Sequence, residues 1–169
     1  LSKEPLHKSV PEICLLGYGE SCDAHHMTSP DPSGVGAKKA MEKSLSSANI
    51  KPEEVDYVNL HGTGTKFNDS MEAKAVDAVF GNHKVKCSTT KPITGHTLGA
   101  AGALELAICF AALTNNALPP QIWDGVFDDE MPKLNFVNKK DNLYQTKICL
   151  SNSFAFGGAN ACLVIKKEE

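Results

Sequence analysis

Asn59-Leu60-His61-Gly62-Thr63-Gly64-Thr65 and Lys91-Pro92-Ile93-Thr94-Gly95-His96-Thr97-Leu98-Gly99-Ala100-Ala101-Gly102 decide how this chain is read. Each run sets one His among Gly, Ala and Thr, either at the end of an apolar strand or at the start of an apolar helix. Two imidazoles so held can share one substrate carbonyl, each donating or exchanging a proton near neutral pH. Such a pair needs a nucleophile beside it, and no convincing one accompanies these runs.

Working outward, Val55–Leu60 reads as a short buried strand running into His61. Asp69-Ser70-Met71-Glu72 has the form of a capping box with Asp in the lead position. It opens a predicted helix with Met71, Ala75 and Val79 on one face. Val85–Ser88 is a further strand. A helix from about Gly99 to Leu113 is small and apolar on nearly all sides, which predicts a central, buried position. Upstream, residues 1–11 form a polar lead-in, Ile13–Gly19 a strand continuing towards Cys22, and Asp23–Gly34 a loop. Ala37, Ala40, Met41, Ser44, Leu45 and Ala48 recur at helical spacing, with Ser33 as candidate N-cap and Asn49 to Pro52 as the stop. Downstream, Leu118-Pro119-Pro120 ends the apolar helix, and residues 121–142 are irregular with a turn at Trp123-Asp124-Gly125. Lys147–Leu150 and Ala161–Ile165 form two antiparallel strands. This order predicts an α/β domain, a layered mixed sheet with helices, its chemistry on loops at strand ends.

A chain of 169 residues suits a single domain, taken here as residues 1–169, and is thin for two. A net charge of −3 offers no basic stripe for nucleic acid. The longest apolar stretch contains Glu105 and reads as too short to span a membrane. The six Cys form no C-x-x-C pair and lie mostly in apolar runs, which fits a reducing cytoplasm better than a disulfide framework. Leu1-Ser2-Lys3-Glu4-Pro5 does not read as a signal peptide and lacks an initiator Met, as a fragment would.

Each chemical reading has a plainer rival. His61 with its Gly-Thr-Gly-Thr tail can hold a ligand against exposed backbone, or be a tight turn with a capping His. His96, at a helix start, would be kept neutral by the helix dipole. Glu105, inside an apolar helix, needs a partner, and Lys91 is the plausible one; the rival is a buried ion pair without chemical duty. Asn152 to Asn160 alternates Phe with small residues before Gly157-Gly158. Such a turn can aim N–H groups as an oxyanion hole, or be a hairpin with two core aromatics. Cys22-Asp23-Ala24-His25-His26 lacks a second ligand pair for zinc, so no metal is expected. Gly17-x-Gly19 has no phosphate-loop context, and Trp123 is expected to cover the core edge.

Taken together, the segments from about Ile13 to Lys166 resemble the C-terminal half of a β-ketoacyl-acyl-carrier-protein synthase of the elongating, thiolase-fold type. The resemblance rests on His26-Met27-Thr28-Ser29-Pro30, the 61–65 run, the 91–102 run and Asn152 to Asn160. It implies a decarboxylative Claisen condensation without a cofactor. By that resemblance, His61 and His96 bind the malonyl thioester carbonyl, while Lys91 and Glu105 form the charged network that positions them. Phe156 supplies half of an oxyanion hole, with its ring as the gate, and Phe154 lies at the substrate. Thr63 and Thr65 hold the phosphopantetheine arm, with Thr28 and Ser29 further along its channel. The implied partners are acyl carrier protein, an N-terminal half of the same enzyme, and a second synthase subunit in a homodimer or heterodimer.

One departure is large. The family's nucleophilic Cys belongs to the N-terminal half, and no Cys here has its small-residue context, so the chain alone is expected to condense nothing. His61 to Asp69 and Leu118 to Gly125 look closer to synthases of aryl-polyene or type II polyketide clusters than to housekeeping elongation. A rival is a non-catalytic, chain-length-factor-like partner, against which the retained His61, Lys91 and His96 argue. A thiolase acting on coenzyme A esters is a poorer match, because Cys162 does not fit its pattern.

Overall fold

The computed structural model describes residues 12–168; the polar lead-in read over 1–11 lies outside them. The apolar runs become β1 (Ile13–Cys22), β2 (Tyr57–Asn59), β3 (Lys86–Ser88), β4 (Asn135–Phe136), β5 (Ile148–Phe154) and β6 (Ala159–Lys167). The helices are α1 (Val35–Ala48), α2 (Lys66–Phe80), the single turn α3 (Lys91–Thr94) and α4 (Ala101–Asn115). One sheet holds the strands in the order β1-β6-β5-β2-β3-β4. β1, β6 and β5 pair antiparallel, whereas β5, β2, β3 and β4 run parallel. The sheet is mixed, as the order of elements predicts.

Both faces of the sheet are covered, which is why its central strands read as continuous apolar runs. Val58, Leu150, Cys162 and Val164 turn to one side, where they meet Met41 and Leu45 of α1 and Met71, Val76 and Phe80 of α2. Tyr57, Cys149 and Ile165 turn to the other, against Cys109, Ala112 and Leu113 of α4. Burying each of the larger apolar side chains contributes about 1.5–3 kcal/mol.

The Gly17-x-Gly19 pair finds its use here. A Cβ at Gly19 would collide with the Ala40 carbonyl oxygen and the Ser44 nitrogen, so the missing side chain is what lets α1 lie directly on β1. Its buried residues are those the spacing marks, from Ala37 to Ala48. Asn49, in the left-handed conformation at φ 54°, stops the helix by donating to the Leu45 and Ser46 carbonyls. The N-cap is Gly34 rather than Ser33, although the Ser33 hydroxyl still accepts the Val35 N–H at 3.3 Å.

Other expectations need correction. The capping box at Asp69 to Glu72 is not one: α2 begins a turn earlier, at Lys66 after Thr65, and Glu72 points into the protein. Residues 121–142 are less irregular than read, because Asn135–Phe136 adds an edge strand parallel to β3. The apolar helix is not buried all round within this chain. Only Ala101, Glu105, Cys109, Ala112 and Leu113 of α4 are buried, while Phe110 on its outer side is 43% exposed. With the 3₁₀ turn before it, this helix runs from Leu98 to Asn115, 18 residues of mean hydropathy 1.5, longer than the stretch read from sequence. By length and hydropathy it could cross a membrane. Its buried, ion-paired Glu105 and its packing on the sheet instead make it a layer of the fold, with an open outer face.

The packing at β1 makes a direct prediction. Gly19→Ala should lower stability by about 1–3 kcal/mol through overpacking. Urea denaturation monitored by circular dichroism measures it; a loss below a few tenths would mean that α1 does not rest on β1 as described.

Candidate active site

β2 and β3 end side by side, and the loops leaving them carry the two marked runs. Leu60 N–H still bonds the Ser88 carbonyl at 2.9 Å, so the chain leaves β2 in register and delivers His61 just past the strand end. There the backbone is caught by Glu72 of α2. Its carboxylate accepts the His61 N–H at 2.8 Å, the Gly62 N–H at 2.7 Å and the Asn152 side-chain amide at 3.1 Å. Gly62 sits at φ +40°, and a Cβ there would come within 2.5 Å of the Thr89 side chain, so this turn requires glycine.

From β3 the chain passes Thr89 and Thr90 into α3, whose first residue is Lys91. The buried Lys91 ammonium donates to the Glu105 carboxylate of α4 and to the His61 carbonyl, and it lies 3.4 Å from His61 Nδ1. The pairing of Lys91 with Glu105 read from sequence is therefore present. Glu105 Oε2 and Asn59 Oδ1 are buried without a hydrogen-bond partner among the described residues.

The two imidazoles meet. Their ring centroids are 5.2 Å apart at an interplanar angle of 84°, and the Phe154 ring stands 6.0 Å from that of His61. Both rings are held neutral. Burial, then the charge of Lys91, brings His61 down to about 3. Burial and Lys91 also lower His96; the dipole of the helix that follows is not the main cause. Each ring's tautomer follows from what faces Nδ1. His61 Nδ1 faces an ammonium, and His96 Nδ1 accepts the Leu98 N–H at 3.2 Å. Both Nδ1 atoms are thus acceptors, which puts the protons on both Nε2 atoms. The result is a pair of N–H donors on adjacent rings, able to hold one oxygen on which negative charge develops. Burial likewise pushes Glu72 up to about 7, against the pull of its three donors.

His96, Lys91, Gly62 and Thr63 line a cavity of about 460 Å³. Thr63 and Thr65 share a hydroxyl hydrogen bond of 2.9 Å, but only Thr63 reaches the cavity wall. The remaining residues read as functional lie elsewhere. Thr28 and Ser29 sit on the 23–34 loop, tied to the Phe156-Gly157-Gly158 turn by Gly157 N–H on the Met27 carbonyl at 2.7 Å. Among the described residues, Thr28, Ser29 and Phe156 make no hydrogen bond or ring contact with either histidine. The Phe156 ring is 75% exposed. Cys22, His25 and His26 surround no metal position; Asp23 is taken up by Asn160 Nδ2 at 2.6 Å and the Asp31 N–H at 3.0 Å. Trp123 covers the core edge as expected, against Phe136 at 5.1 Å.

No thiol among the described residues is poised for attack beside the imidazoles. Cys87, Cys149 and Cys162 are buried in strands; burial raises Cys87 and Cys162, and the hydrogen-bonded Cys109 and then burial raise Cys149. Sequence reading missed Glu72, Asn152 and the cavity wall beyond residue 121. Glu72 left a signal: it sits between Met71 and Ala73 on a buried helix, where a carboxylate must have donors.

Two neutral imidazoles at the strand ends of a layered mixed sheet define an α/β domain with a paired-donor site. The family model for the C-terminal domain of beta-ketoacyl synthase matches residues 13–123, and the chain belongs to that family. The 3-oxoacyl-[acyl-carrier-protein] synthase 2 of Coxiella burnetii is 45% identical over 155 residues, 90% of this chain and 37% of that protein. The synthase 2 of Synechocystis sp. is 39% identical over 155 residues, again 90% and 37%. A chain of the ketosynthase–chain length factor complex from Xenorhabdus doucetiae superposes with a TM-score of 0.86 at 45% identity, covering 92% of this chain and 39% of that one. A beta-ketoacyl synthase from Burkholderia phymatum gives a TM-score of 0.84 at 31% identity, covering 92% and 37%. The chain thus spans somewhat over a third of the length of these relatives.

Two predictions follow from the geometry of the loop after β2. Glu72→Gln turns an amide N–H₂ towards donors that need an acceptor, so stability should fall by about 1–3 kcal/mol in urea; an unchanged midpoint would contradict this. His61 binds its proton more readily unfolded than folded, so its contribution falls as pH drops from 6.5 towards 3 and is complete above 6.5. The stability of wild type relative to His61→Gln should therefore decline below pH 6 by about 1.4 kcal/mol per pH unit. Glu72, present in both, cancels in this comparison; a difference independent of pH would show that the imidazole is not held neutral.

Proposed function

We propose that this chain is the C-terminal half of a β-ketoacyl-acyl-carrier-protein synthase, supplying the decarboxylation machinery of a Claisen condensation. The observation that carries the reading is the pair of neutral imidazoles, each with Nδ1 occupied and Nε2–H free to donate. In this mechanism the malonyl thioester oxygen lies between the two Nε2–H groups. The bond to the departing carboxylate breaks, carbon dioxide leaves, and the electron pair becomes an enolate. The two donors match the charge that forms on its oxygen, so they bind the transition state better than the substrate. The enolate carbon then attacks an acyl thioester; the new C–C bond forms as the thiolate leaves.

Lys91 holds His61 in place, and Glu105 balances the ammonium charge. Thr63 and Thr65 take the amides of the phosphopantetheine arm, Thr28 and Ser29 lie further along its path, and Phe154 closes the site behind His61. The Phe156 N–H has no partner among the described residues, which leaves it free for the oxyanion of acyl transfer. The acylated Cys, the enzyme's other half and the subunit partner belong to the rest of the synthase. Acyl carrier protein delivers the substrate, and a reducing cytoplasm suits the free thiols. Curated relatives are synthase 2 by name, while a solved neighbour of equal identity is a chain of a ketosynthase–chain length factor complex. Product analysis separates the two: polyene or polyketide products support the narrower aryl-polyene reading, and saturated acyl chains alone count against it. A chain-length-factor-like role fits less well, because His61, Lys91 and His96 are all present and lie together.

In the full-length synthase, His61→Ala and His96→Ala should each slow decarboxylation of malonyl-acyl-carrier-protein by about 100-fold or more. The 169-residue chain alone should form no condensation product from radiolabelled malonyl-acyl-carrier-protein. Variants within threefold of wild type would overturn the imidazole mechanism, and condensation by the isolated chain would overturn the division of labour.

A further inference from the structure

The cavity beside His96 extends well past the imidazoles, to a wall that the mechanism above does not use. At that end Trp123, Phe127 and Phe136 form a cluster. Trp123 packs edge-on to Phe127 at 4.7 Å and to Phe136 at 5.1 Å, and Phe127 stacks on Phe136 at 5.9 Å with an interplanar angle of 4°. Trp123 and Phe127 each keep 36% of their surface exposed, so their rings are open to a ligand. All three line the same cavity of about 460 Å³ as Lys91 and His96. That volume falls within the roughly 300–1,000 Å³ of small-molecule sites.

The charges of the cavity say what kind of molecule fits. Asp69, Glu72 and Asp128 line it against a single ammonium, Lys91, which is already engaged by Glu105 and the His61 carbonyl. The Lys133 ammonium stands 5.9 Å from the Phe127 ring centroid but is paired with Asp129 at 3.8 Å, so an anion entering this space would meet more carboxylates than cations. At the polar end, the Thr63 hydroxyl and the His96 imidazole present groups that suit neutral donors and acceptors.

We propose that the space between the Trp123–Phe127–Phe136 wall and His96 is a binding site for a flat aromatic ring system carried on a neutral, hydrogen-bonding arm. The ring extends the aromatic cluster by offset or edge contacts, and the arm reaches Thr63 and His96. An occupant so placed overlaps the position given above to the malonyl thioester, so it acts as a competitive inhibitor. That consequence rests on the proposed condensing role, whereas the ligand class does not.

Trp123 is the sole tryptophan of the chain, so its indole N–H gives a single resonance that reports on this wall. The probe is N-propyl-2-naphthamide, titrated into the ¹⁵N-labelled 169-residue chain. It should shift the indole signal saturably. Free 2-naphthoate and N-propyl-decalin-2-carboxamide should bind about threefold to tenfold more weakly, the first for its charge and the second for its lost ring. Phe127→Leu, which keeps apolar bulk and removes a ring, should weaken the naphthamide by a similar factor; Phe127→Ala provides a second variant. The indole shift is read without turnover, which separates this site from the proposed reaction. An unmoved indole signal, equal affinity for the decalin or naphthoate compounds, or no effect of Phe127→Leu overturns the proposal.

Discussion

The buried ammonium of Lys91 organises the site. It arrives from the end of β3, is balanced by Glu105 from α4, and grips His61 at both its carbonyl and its Nδ1. The loop after β2, α3 and α4 are thereby joined at one atom. A buried ion pair is weak evidence for stability, because desolvation offsets much of its attraction. Its value here is directional. An ammonium can only donate, so the imidazole nitrogen facing it must accept, and the proton is left on the far nitrogen. The same charge opposes a second proton on either ring.

Glu72 does for the backbone what Lys91 does for the side chain. One carboxylate accepts two consecutive N–H groups and an Asn152 amide, and so fixes the turn from which His61 projects. Asn152 is itself set by β5, where its amide oxygen lies 3.1 Å from the Cys162 thiol of β6. The loop is therefore tied to the centre of the sheet through short polar links, and glycine at position 62 permits the close approach to Thr89. Positioning on this scale decides whether two donors can meet one oxygen.

Much of this was legible in the residues. Periodicity located α1 and its buried face, because burial on one side leaves a regular pattern, and short apolar runs located the antiparallel pair β5–β6. His61, Lys91 and Glu105 were recognisable as costly residues beside or within apolar elements, and His96 through the small-residue run around it. Glu72 was misread because a carboxylate three residues after Asp imitates a capping box; only the helix start at Lys66 shows otherwise. α4 was expected to be buried all round because its composition is uniformly apolar, whereas the described residues cover one side. β4 was invisible at two residues, and the cavity wall from Trp123 to Phe136 comes from tertiary contacts that spacing does not encode.

The tautomer of the two imidazoles tests the account most directly. Long-range ¹H–¹⁵N correlation spectra at pH 7 distinguish protonated from bare ring nitrogens. Both His61 and His96 should show a protonated Nε2 and a bare Nδ1. A proton on Nδ1 of either ring, or an imidazolium at that pH, would contradict the paired-donor arrangement and the chemistry drawn from it.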